Sequence, residues 1–126
     1  KNESSSVMNV EINVNKSYQS ILGFGGAITD ASIINLNKVA AVSESVMNDI
    51  LTAYYSVDSG SGYTTSRVPM ASCDFSPYSY TYAPVENDFA LNHFNLTVQD
   101  FGNDTFYGRI SVIQRMQQIM LMNKGE

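Results

Sequence analysis

Residues 63–75 read Tyr63-Thr64-Thr65-Ser66-Arg67-Val68-Pro69-Met70-Ala71-Ser72-Cys73-Asp74-Phe75. The Thr, Tyr and Val content of residues 63–68 favours a buried β-strand. Pro69 cannot donate a ladder hydrogen bond, so we expect regular pairing to end there. A charged Arg67 inside such a strand is costly to bury unless carboxylates pair with it. Since α/β enzymes place their chemistry at the carboxyl ends of strands, Asp74 is a candidate site residue.

The segments on either side predict a strand–helix order that repeats. Residues 23–28 form a short Gly-rich strand, and Thr29-Asp30 provides an N-cap for a helix over residues 30–37. Ser43 caps a second helix over residues 44–55, and a turn over residues 56–62 leads back to the central strand. Residues 76–102 show little periodicity and predict a long loop, and the last helix covers residues 104–122. This order implies parallel strands in an α/β fold.

Two helices have faces that we expect to be buried. In the second helix the two adjacent rows are Val46, Ile50, Tyr54 and Met47, Leu51, Tyr55. In the last helix the expected core residues are Ile110, Ile113, Met116 and Met120, with Val112 and Ile119 beside them.

The first residues of the chain predict a different architecture. Residues 8–14 alternate apolar and polar side chains, which is typical of a half-buried antiparallel strand. Residues 15–17 are turn-like, and residues 18–22 predict the returning strand of a hairpin. We place the boundary between the two parts near Leu22.

Composition excludes several classes of protein. The chain has 126 residues, 44% of them apolar and 15% charged, which is enough for a packed core. A net charge of −5 without a Lys/Arg cluster argues against a nucleic-acid partner. The chain has no apolar run long enough to span a membrane. The single cysteine, Cys73, permits no internal disulfide and favours a buried thiol that packs as a small hydrophobe.

Four sequons provide candidate N-glycosylation sites: Asn2, Asn15, Asn95 and Asn103. An N-glycan requires passage through the secretory route, so these sequons favour a lysosomal or secreted protein.

Two long motifs resemble those of a known family. They are Gly23-Phe24-Gly25-Gly26-Ala27-Ile28-Thr29-Asp30 and Arg67-Val68-Pro69-Met70-Ala71-Ser72-Cys73-Asp74-Phe75, and Tyr80-Thr81-Tyr82-Ala83 and Asp88-Phe89 also agree. From about Ser17 onward the chain is similar to glycoside hydrolase family 30, in particular to its glucosylceramidases. The resemblance implies strands of an accessory all-β domain over residues 1–22. It also implies the first two β/α units of a (β/α)8 TIM barrel over residues 23–126.

We therefore expect the chain to be an incomplete, amino-terminal fragment, because two β/α units cannot close an eight-stranded barrel. The resemblance implies a retaining β-glucosidase that hydrolyses glucosylceramide to glucose and ceramide, a step of sphingolipid metabolism. The two catalytic glutamates of the family would lie beyond Glu126, so no catalytic residue is assigned here and the fragment alone is expected to be inactive.

Three residues acquire roles from the resemblance. Asp74 would accept hydrogen bonds from glucose hydroxyls, Phe75 would line the same pocket, and Arg67 would support the catalytic carboxylates electrostatically. From the residues alone, a turn-capping acid at Asp74 and a structural ion pair at Arg67 remain open. We expect no cofactor and no metal. The implied partners are a glycolipid substrate, a saposin activator and, peripherally, a membrane surface.

Two alternatives remain at this point. One is another family 30 glycosidase, a β-xylosidase or a glucanase. The other is a non-catalytic, secreted carbohydrate-binding module whose stacking platforms would be Tyr78, Tyr80, Tyr82 and Phe89. The module would explain the aromatic residues and the sequons, but it would not explain Arg67 in an apolar strand.

Overall fold

The computed structural model describes residues 8–122. Its helices and strands, in chain order, are α1 Asp30–Val42, α2 Glu44–Tyr55, α3 Val98–Phe101, β1 Gly102–Asn103, β2 Phe106–Tyr107 and α4 Arg109–Met122. Strands β1 and β2 pair antiparallel, with Gly102 opposite Tyr107. None of the described helices is both long enough and apolar enough to cross a bilayer.

The caps of the first two helices confirm the sequence prediction. The Thr29 hydroxyl accepts a hydrogen bond from the Ser32 N–H at 3.2 Å, and the Ser43 hydroxyl accepts one from the Val46 N–H at 3.4 Å. Helix α2 has the predicted bounds. Helix α1 continues to Val42, beyond the predicted end near residue 37, because no Gly or Pro interrupts it before Ser43 adopts an extended backbone.

The core lies where α1, α2 and α4 meet. Its buried residues are Ile28, Ile33, Leu51, Tyr55, Val112 and Met116. In α2 the row that contains Met47 is buried as predicted, whereas Val46 and Tyr54 are about half exposed. The prediction of two buried rows was therefore wrong for Val46 and Tyr54, because α2 packs against its neighbours along one stripe. In α4 the prediction holds for Val112 and Met116, and Ile113, Ile119 and Met120 pack against the core as partly buried side chains. The prediction was wrong for Ile110, which is exposed.

The two segments predicted as parallel neighbours do lie side by side. The Arg67 N–H donates to the Gly26 carbonyl at 3.2 Å, and the Ile28 N–H donates to the Arg67 carbonyl at 2.9 Å. The bridge between Ala27 and Arg67 is parallel. A Cβ on Gly25 would lie 1.5 Å from the Thr65 carbonyl oxygen, so this close approach requires glycine.

The prediction of a buried strand over residues 63–68 was wrong. Residues 64–68 are exposed, and their pairing with residues 24–28 is limited to an isolated bridge. The helices pack against one face of the two segments. Among the described residues, no further strand extends this pair into a sheet. Parallel strands become regular and buried when both faces are covered.

The predicted opening hairpin is not formed in the described residues. Residues 8–22 contain no strand, and their one turn is closed by the Lys16 N–H, which donates to the Asn13 carbonyl at 3.1 Å. The alternating apolar side chains of Met8, Val10, Ile12 and Val14 are exposed. A hairpin with no sheet to pack against is marginal in water, which explains the outcome. The assignment of residues 1–22 to an accessory domain stays a prediction.

The last helix begins at Arg109 and not near residue 104. Residues 102–107 form the β1–β2 hairpin, whose turn is organised by Asn103. The Asn103 side chain accepts hydrogen bonds from the N–H groups of Thr105 at 2.8 Å and Phe106 at 3.1 Å. Asn side chains stabilise turns in this way, so they compete with helix formation. The last helix continues to Met122, the last described residue, so its predicted end stays a prediction. The long irregular loop is confirmed, apart from the short α3.

One side chain joins the hairpin to the first helix. The Asn37 amide oxygen accepts from the Tyr107 N–H at 2.7 Å, and its amide nitrogen donates to the Tyr107 carbonyl at 2.9 Å. Asn37 therefore satisfies both backbone groups of a residue 70 positions away.

We predict that Asn37→Ala lowers the free energy of unfolding by about 1–3 kcal/mol, because both Tyr107 groups lose their partner. Asn48→Ala is the matched control, since Asn48 is exposed and accepts one hydrogen bond, from Arg115 at 3.1 Å. It should change the free energy by less than about 0.5 kcal/mol. Urea unfolding of the protein expressed from its complete reading frame measures both. Equal losses in the two variants would contradict the prediction.

Candidate functional site

The candidate site is a turn at residues 73–76. The Ser76 N–H donates to the Cys73 carbonyl at 2.9 Å, and the Cys73 N–H donates to the Ser76 hydroxyl at 2.9 Å. Asp74 and Phe75 lie at the tip, where both are exposed and Phe75 keeps 66% of its surface. The structure thus brings together the two residues predicted to bind substrate and leaves both accessible.

A buried ion pair lies beneath this turn. Arg109 forms a hydrogen-bonded salt bridge with Asp30, and their side chains are 1% and 3% exposed. Arg109 Nη1 also donates to the Pro69 carbonyl at 2.7 Å. Burial acts to lower the pKa of Arg109, but the Coulombic effects of Asp30, Tyr80, Asp100 and Tyr82 together outweigh burial and raise it, so the guanidinium stays charged.

A second carboxylate and two tyrosines complete this buried cluster. Asp100 Oδ1 lies 3.7 Å from Arg109 Nε. The Tyr80 hydroxyl donates to Asp30 Oδ2 at 2.9 Å, and the Tyr82 hydroxyl donates to Asp100 Oδ1 at 2.8 Å. Burial, followed by the hydrogen bond to a carboxylate, raises the pKa of each tyrosine. Both phenols therefore stay protonated and act as donors over the whole physiological pH range.

Asp100 also organises the start of α3. Its Oδ2 accepts hydrogen bonds from the Thr97 N–H and from the Thr97 hydroxyl, both at 3.1 Å. The carboxylate is thus shared between the helix N-terminus and the buried cluster, which ties the end of the long loop to α4.

The long loop contains a row of aromatic rings. Ring centroids are 5.7 Å apart for Tyr78 and Tyr80, 6.2 Å for Tyr80 and Tyr82, and 5.7 Å for Tyr82 and Phe94. Tyr80 and Tyr82 are half-buried, and their hydroxyls point into the ion cluster. They are therefore structural residues and not open platforms for a sugar, which weighs against the binding-module alternative.

Arg67 does not lie in the buried cluster. Its backbone pairs with residues 26 and 28, but its side chain is exposed and forms no ion pair with any part of the chain that the structure describes. The open alternative of a structural ion pair at Arg67 is not found in the described residues, where the charge is exposed to water. Its electrostatic role toward catalytic carboxylates stays a prediction.

The remaining predicted positions lie at the surface or outside the described residues. Asn15, Asn95 and Asn103 are exposed, and Asn2 lies outside the described residues. Cys73 is a free, half-buried thiol, so it is less buried than predicted. Between residues 8 and 122, no cluster of His, Cys, Asp and Glu has the geometry of a metal site.

Sequence analysis missed the ion cluster. Asp30 was interpreted only as part of a helix cap, and Arg109 was not singled out. A usable signal existed, because Arg109 shares its helix face with Val112 and Met116, at positions i+3 and i+7. A lone cation on an apolar face indicates a buried carboxylate elsewhere in the chain.

Comparison with known proteins adds to the geometry. Residues 21–123 match the glycosyl hydrolase family 30 TIM-barrel domain. The chain is 46% identical over 85 residues to the lysosomal acid glucosylceramidase of Mus musculus, an overlap that covers 68% of this chain and 16% of that protein. It is 45% identical over 91 residues to a Caenorhabditis elegans protein that carries the name glucosylceramidase 4, covering 72% of this chain and 17% of that protein. The chain thus spans about a sixth of the length of these curated relatives.

We predict that Arg109→Met lowers the free energy of unfolding by about 3–5 kcal/mol, because Asp30 and Asp100 are then left buried without a counter-charge. The matched control is Arg115→Met. Arg115 pairs with Glu44 at 2.6 Å on a partly exposed surface, and such pairs contribute about 0–1 kcal/mol. Urea unfolding of both variants of the complete protein measures the difference. A similar small loss in each would show that the buried cluster does not stabilise the fold.

Proposed function

The chain belongs to glycosyl hydrolase family 30, and we propose that it is the sugar-holding part of a glucosylceramidase. The proposed reaction is hydrolysis of the β-glucosidic bond of glucosylceramide, which yields glucose and ceramide. The observation that carries the proposal is the exposed Asp74–Phe75 tip on a turn that is anchored to a buried ion cluster. The turn follows Arg67, which forms the parallel bridge with Ala27.

Asp74 has the chemistry that a sugar site needs. An ionised carboxylate has two oxygens and can accept hydrogen bonds from two neighbouring hydroxyls at once. The structure leaves this carboxylate exposed and engages the backbone on both sides of it. Phe75 supplies an apolar surface next to the acid. One charged acceptor beside one apolar surface suits a glucose ring, which has polar edges and apolar C–H faces.

The bond-breaking step is assigned to residues beyond Glu126. A retaining glycosidase uses two carboxyl groups about 5–5.5 Å apart, one as acid/base and one as nucleophile. We propose that both lie on later strands of the barrel, in keeping with the family resemblance. Within residues 23–126, which we propose as the first two β/α units, Arg67 is the charged residue that would favour the ionised form of those carboxylates.

The cellular setting follows from the same proposal. A lysosomal location is supported by the name of the mouse relative, lysosomal acid glucosylceramidase, and by the exposed sequons at Asn15, Asn95 and Asn103. A glycolipid substrate implies contact with a membrane surface, and a saposin would be the activator that presents the lipid. We also propose that residues 1–22 belong to an accessory β-domain. The relatives named glucosylceramidase favour this activity over that of a β-xylosidase or glucanase.

We predict that Asp74→Ala lowers kcat/KM on a fluorogenic β-glucoside by roughly two to four decades. The substitution leaves two sugar hydroxyls unpaired, each worth about 1–3 kcal/mol, and one decade corresponds to about 1.4 kcal/mol. Asp74→Asn keeps the shape and one acceptor oxygen, so its loss should be smaller.

Asp58→Ala is the control for this experiment. Asp58 is also an exposed acid in a turn, at residues 56–62, and no site role is assigned to it. Its kcat/KM should equal that of the unmodified protein, and circular dichroism should show that all variants are folded. A folded Asp74→Ala protein with unchanged kcat/KM would refute the substrate-binding role.

A further inference from the structure

The hydroxyl of Ser76 connects the candidate sugar-binding turn to the buried ion pair. We propose that Ser76 is a positioning residue, which holds Asp74 in the orientation that binds sugar and uses Asp30 as its fixed anchor. This inference rests on the function proposed for Asp74. It assigns a role to two residues, Ser76 and Asp30, that do not touch the substrate.

The Ser76 hydroxyl makes two short hydrogen bonds with different partners, beside a long contact to the Cys73 sulfur at 3.9 Å. It accepts from the Cys73 N–H at 2.9 Å, and it donates to Asp30 Oδ2 at 2.5 Å. Hydrogen bonds from a hydroxyl to a carboxylate are short and are among the stronger ones in proteins. The residue that precedes Asp74 is thus linked through one oxygen atom to a carboxylate at the start of α1.

The residue that follows Asp74 is fixed as well. The Phe75 carbonyl accepts a hydrogen bond from the Ala31 N–H at 3.0 Å. Ala31 lies in the first turn of α1, where N–H groups have no partner within the helix. Both neighbours of Asp74 are therefore held against the same helix end, whereas the Asp74 side chain is exposed.

Asp30 is suited to be an anchor because it is buried and held by several partners. Its carboxylate is buried and paired with Arg109, which also donates to the Pro69 carbonyl at 2.7 Å. Tyr80 donates to the same Asp30 oxygen as Ser76 does, at 2.9 Å. The Asp30–Arg109 pair thus contacts the chain at residue 69, before the turn, at residue 76, in the turn, and at residue 80, after it.

The backbone of this segment also requires restraint. Ala71 has a φ of 58°, in the left-handed region that is unfavourable for residues with a Cβ. Such conformations persist when the surrounding contacts determine them. Ser72 adds to these contacts, since its hydroxyl donates to the Tyr80 carbonyl at 2.9 Å and accepts from the Tyr80 N–H at 3.1 Å. Without its anchors the turn would relax, and the Asp74 carboxylate would move with it.

The test is a double-mutant cycle in the protein expressed from its complete reading frame. The variants are Ser76→Ala, Asp74→Ala and the double variant, and kcat/KM is measured on a fluorogenic β-glucoside. Ser76→Ala should lower kcat/KM by about tenfold when Asp74 is present, since a small displacement weakens both sugar hydrogen bonds. When Asp74 is already absent, the same change should have almost no effect.

Two further variants separate positioning from general stability. Ser76→Thr keeps the hydroxyl and should recover most of the lost kcat/KM. Ser59→Ala is the matched control, because the Ser59 hydroxyl also makes one local hydrogen bond, to Ser56 at 3.0 Å, in a different turn. It should leave kcat/KM unchanged, and its melting temperature should shift less than that of Ser76→Ala, because only the Ser76 hydroxyl is bonded to a buried carboxylate.

The outcomes distinguish this inference from the proposed function. An equal loss from Ser76→Ala in both backgrounds would show a general structural effect and would overturn the positioning role. No loss in either background would overturn it too. In both cases a large loss in Asp74→Ala alone would leave the sugar-binding role intact. If Asp74→Ala itself has normal kcat/KM, the proposed function fails first and the positioning role falls with it.

Discussion

The buried ion pair of Asp30 and Arg109 is the constraint on which the described structure depends. Two charged side chains at 3% and 1% exposure are unfavourable unless their hydrogen-bonding groups are satisfied. Ser76 and Tyr80 donate hydrogen bonds to Asp30, and Arg109 donates to the Pro69 carbonyl. Arg109 Nε has no hydrogen-bond partner in the described structure, and Asp100, at 3.7 Å from it, compensates the guanidinium through its charge. These partners come from Pro69, the long loop and α3, whereas the pair itself joins the start of α1 to the start of α4. The need to compensate one pair thus determines the path of the chain between residues 69 and 100.

This constraint explains how a loop with almost no regular structure can support a binding site. The loop contains no element longer than the four residues of α3, yet its aromatic rings pack in a row. Three of its hydroxyls, those of Ser76, Tyr80 and Tyr82, donate to the buried carboxylates. Many contacts therefore hold the loop against the buried cluster, whereas Asp74 and Phe75 are exposed in the turn that precedes the loop. A site that is held by its surroundings and keeps its binding side chains accessible can hold a strongly hydrated sugar in one orientation.

The parts of this arrangement that depend on neighbouring residues were predictable from the sequence. The Thr29 and Ser43 caps, the bounds of α2 and the turn after it follow from local hydrogen bonds and helix periodicity. The parallel relation of residues 24–28 and 64–67 followed from the strand–helix order. The hairpin over residues 8–22 was not formed, because alternation predicts a strand only where a sheet is present to cover it. The start of α4 was misplaced, because Asn103 turns the chain before the helix can begin.

The ion cluster was not predictable in the same way, since its partners are far apart in sequence. Asp30 and Arg109 are separated by 79 positions, and no local pattern connects them. The sequence drew attention to Arg67, a cation in an apolar segment, but that charge lies in water and Arg109 is the one that is buried. Asp74 and Phe75 were identified through two long motifs. Their exposure and their attachment to α1 are what the structure adds.

The most direct test of this account is an experimental structure of the complete protein with a non-hydrolysable β-glucoside bound. The account predicts that both Asp74 carboxylate oxygens accept hydrogen bonds from neighbouring sugar hydroxyls, at about 2.7 Å. In the same structure the Ser76 hydroxyl should still bridge the Cys73 N–H and Asp30 Oδ2, and Asp30 should still pair with Arg109. A glucoside bound away from Asp74, or a bound Asp74 turn in which Ser76 has left Asp30, would contradict it.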